Sequence, residues 1–363
     1  ARGDRSTLDR LRSAPAGEGE VGGRRVGVAD FLGGASPPSA LPNPLPPPTA
    51  TATLREPAWS FSLAPLAEGR DQRFALPFLK IPGRGVERPF NLLPAVSDGI
   101  VFVTDSVRLF GLDLHSGKPR WEFPGAEEWG RTVHDAGTFR EAPNPSFVVA
   151  PCADRGVVAA ALQVPLRRAG DGTENFHRIP IRHILPARRL FAFDSATGAP
   201  LWTHWSPAVA TLDLGSFHER ATVAAPPVTD GERLYTLSVL YAGKIDLYAC
   251  AYDLRTGAPV WRTPLVFGYI QQNMFGRWLV EYAGSPPLLA DGALYVSTNL
   301  GWVARLDASS GRIEWLARYE MRPQKKPQAY SEPERKPMWA NRAPVLEGET
   351  LYTTPLDSRY LFA

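Results

Sequence analysis

Cysteine is nearly absent, with two residues in 363, which excludes a disulfide-stapled scaffold and a four-cysteine zinc site. Charge of one sign is also lacking. Forty Lys and Arg against 37 Asp and Glu leave +3, so the chain has no electrostatic bias toward nucleic acid or acidic lipid. Long apolar runs are missing: Phe147 to Ala153 and Val157 to Val164 fall far short of the ~20 residues of a membrane-spanning helix. Histidine is scarce, and none of His115, His134, His177, His183, His204 and His218 has an H-E-x-x-H or comparable metal spacing. No G-x-S-x-G, Walker loop or dinucleotide fingerprint occurs. The first residue is Ala with no signal peptide after it, so the expectation is a native start further upstream.

Proline and glycine are abundant instead, 36 and 32 residues, alongside ten tryptophans. That composition predicts many short strands joined by turns and rules out long helices over most of the chain. Residues 1–54 differ from the rest. Ser36 to Ala50 holds seven prolines, and residues 1–50 hold a single aromatic, Phe31. Such a segment buries too little apolar surface to offset chain entropy, and reads as a disordered Pro/Ala-rich linker. Residues 55–363 read as one folded domain.

Within that domain the sequence repeats. An Asp is followed by Gly four residues on and Trp eight residues on. The copies are Asp113, Gly117, Trp121; Asp194, Gly198, Trp202; Asp253, Gly257, Trp261; and Asp307, Gly311, Trp315. Upstream of each lies a proline, an acidic residue with Gly, and an apolar strand, as in Pro287, Asp291-Gly292 and Leu294 to Thr298. Each copy resolves into four short antiparallel strands, the pattern of a β-propeller blade. The Asp is expected to bond its own turn backbone, and the Trp to pack between neighbouring blades. Both are fold residues in this reading, with a direct binding role as the less favoured alternative.

The spacing in Phe193-Asp194-Ser195-Ala196-Thr197-Gly198 with Trp202, and in Tyr252-Asp253-Leu254-Arg255-Thr256-Gly257 with Trp261, resembles the tryptophan-docking motif of bacterial PQQ-type propellers. That superfamily includes quinoprotein alcohol dehydrogenases and the assembly lipoprotein BamB. The resemblance implies an all-β propeller and, in the usual form, eight blades. Four complete motifs are present. A fifth copy runs through Leu351-Tyr352-Thr353 and Arg359-Tyr360-Leu361-Phe362. The expectation is therefore four complete blades and one partial blade of a longer parent, with blade one and the partial blade open or loosely joined. The rival is a five-blade ring in which Ala58 to Phe61 pair with Tyr360 to Phe362.

Strand alternation places the connections near 126–145, 163–188, 205–224, 265–285 and 318–342 on one face, where long loops carry function or extend strands. Within them Gln271, Gln272, Asn273, Arg277 and Trp278 form a candidate partner-binding group, beside Met274 and Phe275. The same residues capping strand ends is the competing reading. His177, His183, Arg178, Arg182, Arg188 and Arg189 form a basic run that reads as a solvated loop before an anion site. Lys325, Lys326, Arg335 and Lys336, among prolines and Glu332 and Glu334, read as a mobile charged loop.

The quinoprotein enzymes carry adjacent cysteines and some a C-x-x-C-H haem motif; Cys152 and Cys250 are isolated and expected as buried free thiols. No catalytic residue, metal ligand or cofactor is assigned. The resemblance and the missing motifs point to a non-catalytic binding or scaffold module of the bacterial cell envelope, serving a protein or peptide partner. In this reading the N-terminal linker attaches it to the envelope or to further domains. A fragment of a PQQ-dependent dehydrogenase, with PQQ and Ca2+, is the first alternative. A carbohydrate- or polymer-binding module using Trp129 or Trp205 is the second.

Overall fold

The structure is a computed structural model describing residues 18–21, 24–27, 56–61, 63, 91–123, 146–164, 187–205, 216–241, 245–268, 281–322 and 339–363. It divides into two units, Ala1–Pro57 and Ala58–Ala363. In the first, strands β1 (Glu18–Val21) and β2 (Arg24–Gly27) form an antiparallel hairpin, an element the linker reading did not contain.

The second unit is an all-β propeller. Blade one is β3 (Ala95–Ser97), β4 (Ile100–Thr104), β5 (Leu109–Asp113) and β6 (Pro119–Phe123), paired in chain order. Blade two is β7 (Cys152–Asp154), β8 (Val157–Gln163), β9 (Arg188–Asp194) and β10 (Pro200–Thr203). Blade three opens with the single-turn helix α1 (Phe217–Arg220) and a split inner strand, β11 (Thr222–Val223) and β12 (Val228–Thr229). Both halves pair with β13 (Arg233–Tyr241), and Pro226 and Pro227 lie at the break, where a missing N–H cannot serve the ladder. β14 (Ile245–Asp253) and β15 (Pro259–Gly268) complete that blade. Blade four is β16 (Leu288–Ala290), β17 (Ala293–Ser297), β18 (Trp302–Asp307) and β19 (Ile313–Arg318), and β20 (Val345–Glu347) with β21 (Thr350–Tyr352) begins a fifth.

The turns between the first two strands of a blade need positive φ. Asp98-Gly99 (50° and 73°) and Asp291-Gly292 (49° and 70°) both supply it, as two-residue hairpins of twisted strands require. The core lies between blades. One cluster joins Ile100, Phe102 and Leu109 of blade one to Val158, Leu162 and Phe193 of blade two, and a larger one joins blade three to blade four.

The ends of the array meet near its inner strands. Asn91, ahead of blade one, donates from Nδ2 to the Asn341 carbonyl (3.4 Å) ahead of the fifth, and Arg342 Nη1 donates to Asn91 Oδ1 (2.8 Å). Phe362 bridges Thr353 of its own blade, and no pairing of 58–61 with 360–362 occurs among the described residues. The junction thus consists of side-chain hydrogen bonds, without the strand pairing of the rival five-blade ring among the described residues.

Candidate functional site

Two polar systems stand out, and the first is the repeat motif. In every copy the Asp carboxylate closes its own turn. Asp194 Oδ1 accepts from the Ala196 and Thr197 amides (3.1 and 2.9 Å) and from Thr197 Oγ1 (2.8 Å). Asp253 does the same with Arg255 and Thr256, and Asp113 and Asp307 hold Ser116 and Ser310. These bonds to the charged form hold the carboxyls below their usual range, with the Thr197 and Thr256 hydroxyls the largest causes for Asp194 and Asp253.

The turn's Gly, at φ of 67–73°, lies flat under an indole from the preceding blade. A Cβ on Gly198 would fall 2.6 Å from Trp121, one on Gly257 2.5 Å from Trp202, and one on Gly311 2.4 Å from Trp261. Each indole Nε1–H donates at 2.9 Å to the carbonyl after the Asp: Trp121 to Ser195, Trp202 to Leu254 and Trp261 to Ala308. A β-bulge precedes the Trp in every blade, for instance where Leu306 faces Ile313 but Arg305 faces Trp315. That extra residue turns the indole toward the neighbour.

Two placements differ from expectation. Gly117 is covered by Trp59, which precedes blade one and donates to the Leu114 carbonyl at 2.9 Å. Trp315, expected between blades, is 37% exposed, because no Asp-x-x-x-Gly turn of the described chain lies against it.

The second system is a buried polar layer at the loop-bearing ends of blades one to three. Arg188, at the start of β9, is fully buried and forms an ion pair with buried Glu281. Its Nε donates to Ser106 Oγ (3.2 Å), its backbone N to Thr222 Oγ1 (2.8 Å), and its guanidinium lies 3.8 Å from the Phe147 ring centre. Burial lowers the Arg188 pKa to about 9, which leaves it cationic at neutral pH. Arg189 is also buried. The solvated-loop reading of these two arginines is therefore corrected: they start a core strand, and a distant carboxylate and an aromatic face compensate the charge of Arg188. Sequence offered no signal for Glu281, 93 residues away.

Arg188 follows residues 165–186 and Glu281 follows 269–280, so the ion pair ties together the bases of two long connections. Gln271, Gln272, Asn273, Arg277 and Trp278 lie outside the described residues, as do His134, His177, His183, Arg178, Arg182, Trp129 and Lys325, Lys326, Glu332, Glu334, Arg335 and Lys336. Trp205 is no exposed platform; it packs against Phe191, ring centres 6.5 Å apart.

A small cavity beside blade three is lined by Arg189, His204, Phe217, His218, Ser238 and Tyr252. His204 Nε2 bonds the Gly257 carbonyl (2.9 Å), and His218 Nδ1 meets the Tyr252 hydroxyl (3.2 Å). Burial, above all, pushes the His204 pKa down to about 4. Cys152 and Cys250 are free thiols, and burial pushes that of Cys250 up to about 11.

Among the described residues no group of three or more His, Cys, Asp or Glu converges as a metal site. The buried guanidinium of Arg188 is already matched by Glu281. Among the described residues, no helix is long and apolar enough to cross a membrane.

No curated protein matches the chain. Among solved structures, BamB from Moraxella catarrhalis shares 16% identity over 73% of this chain and 66% of its own, with a TM-score of 0.31. A europium-containing methanol dehydrogenase shares 15% over 62% of this chain and 41% of its own, TM-score 0.36. Quinohemoprotein alcohol dehydrogenase from Comamonas testosteroni shares 18% over 62% and 34%, TM-score 0.36. The chain thus spans less than half of either dehydrogenase. The family model described as outer membrane protein assembly factor BamB matches residues 187–354, a stretch similar in sequence to that family's repeats.

Proposed function

We infer that the protein is a non-catalytic propeller that presents its long connections to a protein or peptide partner in the bacterial cell envelope. The observation that carries this reading is the family match over residues 187–354, supported by the buried Arg188–Glu281 pair beneath two of those connections. A buried pair of this kind is poor at adding stability and better suited to fixing a local arrangement. Gln271, Gln272, Asn273, Arg277 and Trp278 supply amide, guanidinium and aromatic groups, a mixture suited to orienting and anchoring a peptide. The segment 1–54 serves as the attachment to the envelope or to further domains.

Photo-crosslinking in the native envelope tests the face. A crosslinker at Asn273 should give one discrete protein adduct, and a crosslinker at Ser309, on a turn of the other face, should give none. Equal labelling from both positions removes the reading. PQQ- and calcium-dependent oxidation of an alcohol by the purified chain would replace it with the dehydrogenase alternative.

A further inference from the structure

His204 and His218 flank the connection between blades two and three in sequence, and their imidazoles meet at its base. His204 is anchored to both blades: its backbone N donates to the Leu190 carbonyl (2.9 Å) and its Nε2 bonds the Gly257 carbonyl (2.9 Å). His218 sits in α1, a helix of four residues whose first turn is closed by the Ala221 amide on the Phe217 carbonyl (2.8 Å). So short a helix does not persist without packing. Its packing is aromatic. The Phe217 ring meets Tyr248 edge-on at 5.1 Å, and the Arg262 guanidinium lies 4.1 Å from the Phe217 ring centre. The His218 ring lies 4.8 Å from His204 and 5.2 Å from Tyr252, whose hydroxyl faces its Nδ1.

The described ionisable groups around this contact are cationic or neutral. Arg189 of β9 lines the cavity with the two histidines, and Arg262 of β15 acts on Cys250 and Tyr252 of β14. Burial pushes the Tyr252 hydroxyl far above its usual range and the Cys250 thiol up to about 11, so neither offers a negative charge. Ser238 of β13 completes the polar wall, and Arg220 of α1 is exposed. No carboxylate lines the cavity among the described residues. At neutral pH the Nε2–H of His204 serves the Gly257 carbonyl, which leaves Nδ1 a lone pair and the ring uncharged. A proton on Nδ1 adds a charge 4.8 Å from the His218 ring and beside Arg189, in a site that disfavours it.

We propose that α1 is an acid-released latch: protonation of His204 undocks the helix from the seam of blades two and three while the strands around it stay paired. The helix is the moving part, because the Leu190 carbonyl holds the His204 backbone and Trp205 stays packed on Phe191. Undocking uncovers His204, Tyr248 and Tyr252, an aromatic surface at the base of a connection on the loop-bearing face.

His204 has a pKa of about 4 when docked and an ordinary 6.5 when exposed, so the open form takes the proton first. The open population should rise about 30-fold from pH 7.5 to pH 5.0. Amide hydrogen exchange of the whole chain measures it, with each rate divided by its intrinsic rate at that pH. The Arg220 and Ala221 amides should show the rise, and about 1 M urea should leave it unchanged, as a local opening requires. His204→Gln, which keeps an N–H for the Gly257 carbonyl, should abolish the response to acid. Phe217→Ala loosens α1, so by NMR the His204 ring should titrate close to 6.5 in that variant. A flat wild-type profile, or a rise that persists in His204→Gln, overturns the proposal. So does a rise that grows with urea, which belongs to global unfolding, or a His204 ring that still titrates near 4 in Phe217→Ala.

Discussion

The seams behind Trp121, Trp202 and Trp261 and the seam between blade four and the fifth blade solve the same problem by different chemistry. The first three use one indole on one glycine, repeated almost without change. The last relies on buried amides and hydroxyls. Asn299, at φ 52°, donates from Nδ2 to the Ala283 carbonyl (2.9 Å), and its Oδ1 accepts from the Leu356 amide (2.9 Å). Asn341 Nδ2 bonds the Gly284 and Ser146 carbonyls (2.9 and 3.0 Å), and Asp357 Oδ2 takes the Gly301 amide (3.0 Å). Indole docking is modular because it needs two residues at a fixed spacing. A polar network is specific to its place, since every donor needs its own acceptor.

The sharpest test sets one tryptophan against another. Trp202→Ala removes a docked indole and leaves a void over Gly257, so it should cost about 4 kcal/mol in urea unfolding. Trp315→Ala, at an exposed site, should cost under about 1 kcal/mol. Equal losses would mean that Trp315 is already docked, and the comparison would fail.

The glycines sharpen the same contrast. Gly257→Val places a branched side chain where a Cβ alone comes within 2.5 Å of Trp202, on backbone at φ 70°. A loss of about 3 kcal/mol is expected. Gly348→Ala, also at positive φ but with no atom within 4 Å of the added Cβ, should lose only about 1 kcal/mol of strain. Chemical denaturation of the two variants side by side separates crowding from strain. In the last seam, Asn299→Ala strands the Ala283 carbonyl and the Leu356 amide and should cost about 2 kcal/mol. Hydrogen exchange should then rise in residues 345–362 before it rises in blades one to three.

What sequence could reveal follows from this division. Asp113, Gly117 and Trp121 and their copies are legible because the motif is local and repeats, and so are the hairpin turns at Asp98-Gly99 and Asp291-Gly292. The bulge ahead of each Trp left no mark, since an extra residue in a strand has no compositional signature. Trp59 has the right residue type but no strands of its own to announce its seat on Gly117. The amide network was invisible for another reason. Asn91 and Asn341 are 250 residues apart, single polar side chains among prolines and glycines, and no periodicity links them. The burial of Arg188 is not legible because a run of arginines looks solvated, and its carboxylate, Glu281, lies far off in the connection between blades three and four.

A further small effect concerns acid, and it probes whether a docked seam is uniform along its length. His204, two residues beyond Trp202, binds the Gly257 carbonyl and faces His218 at 4.8 Å, with Arg189 and Tyr252 around it. Its pKa is about 4 in the folded protein, against an ordinary 6.5, with burial the main cause and His218 and Arg189 adding to it. Between these values the unfolded chain binds a proton that the folded chain does not, so stability falls as pH falls from 6.5 toward 4 and is complete above 6.5. From pH 6.5 to 5.5 the loss should be about 1 kcal/mol. The turn carboxylates Asp194 and Asp253, held below their usual range, keep their contribution at these pH values and lose it only in stronger acid. His204→Gln keeps an N–H for the Gly257 carbonyl and removes the titration. Its unfolding free energy should therefore be flatter than wild type across pH 6.5–5.5, and a slope equal to wild type would place the acid sensitivity elsewhere in the propeller.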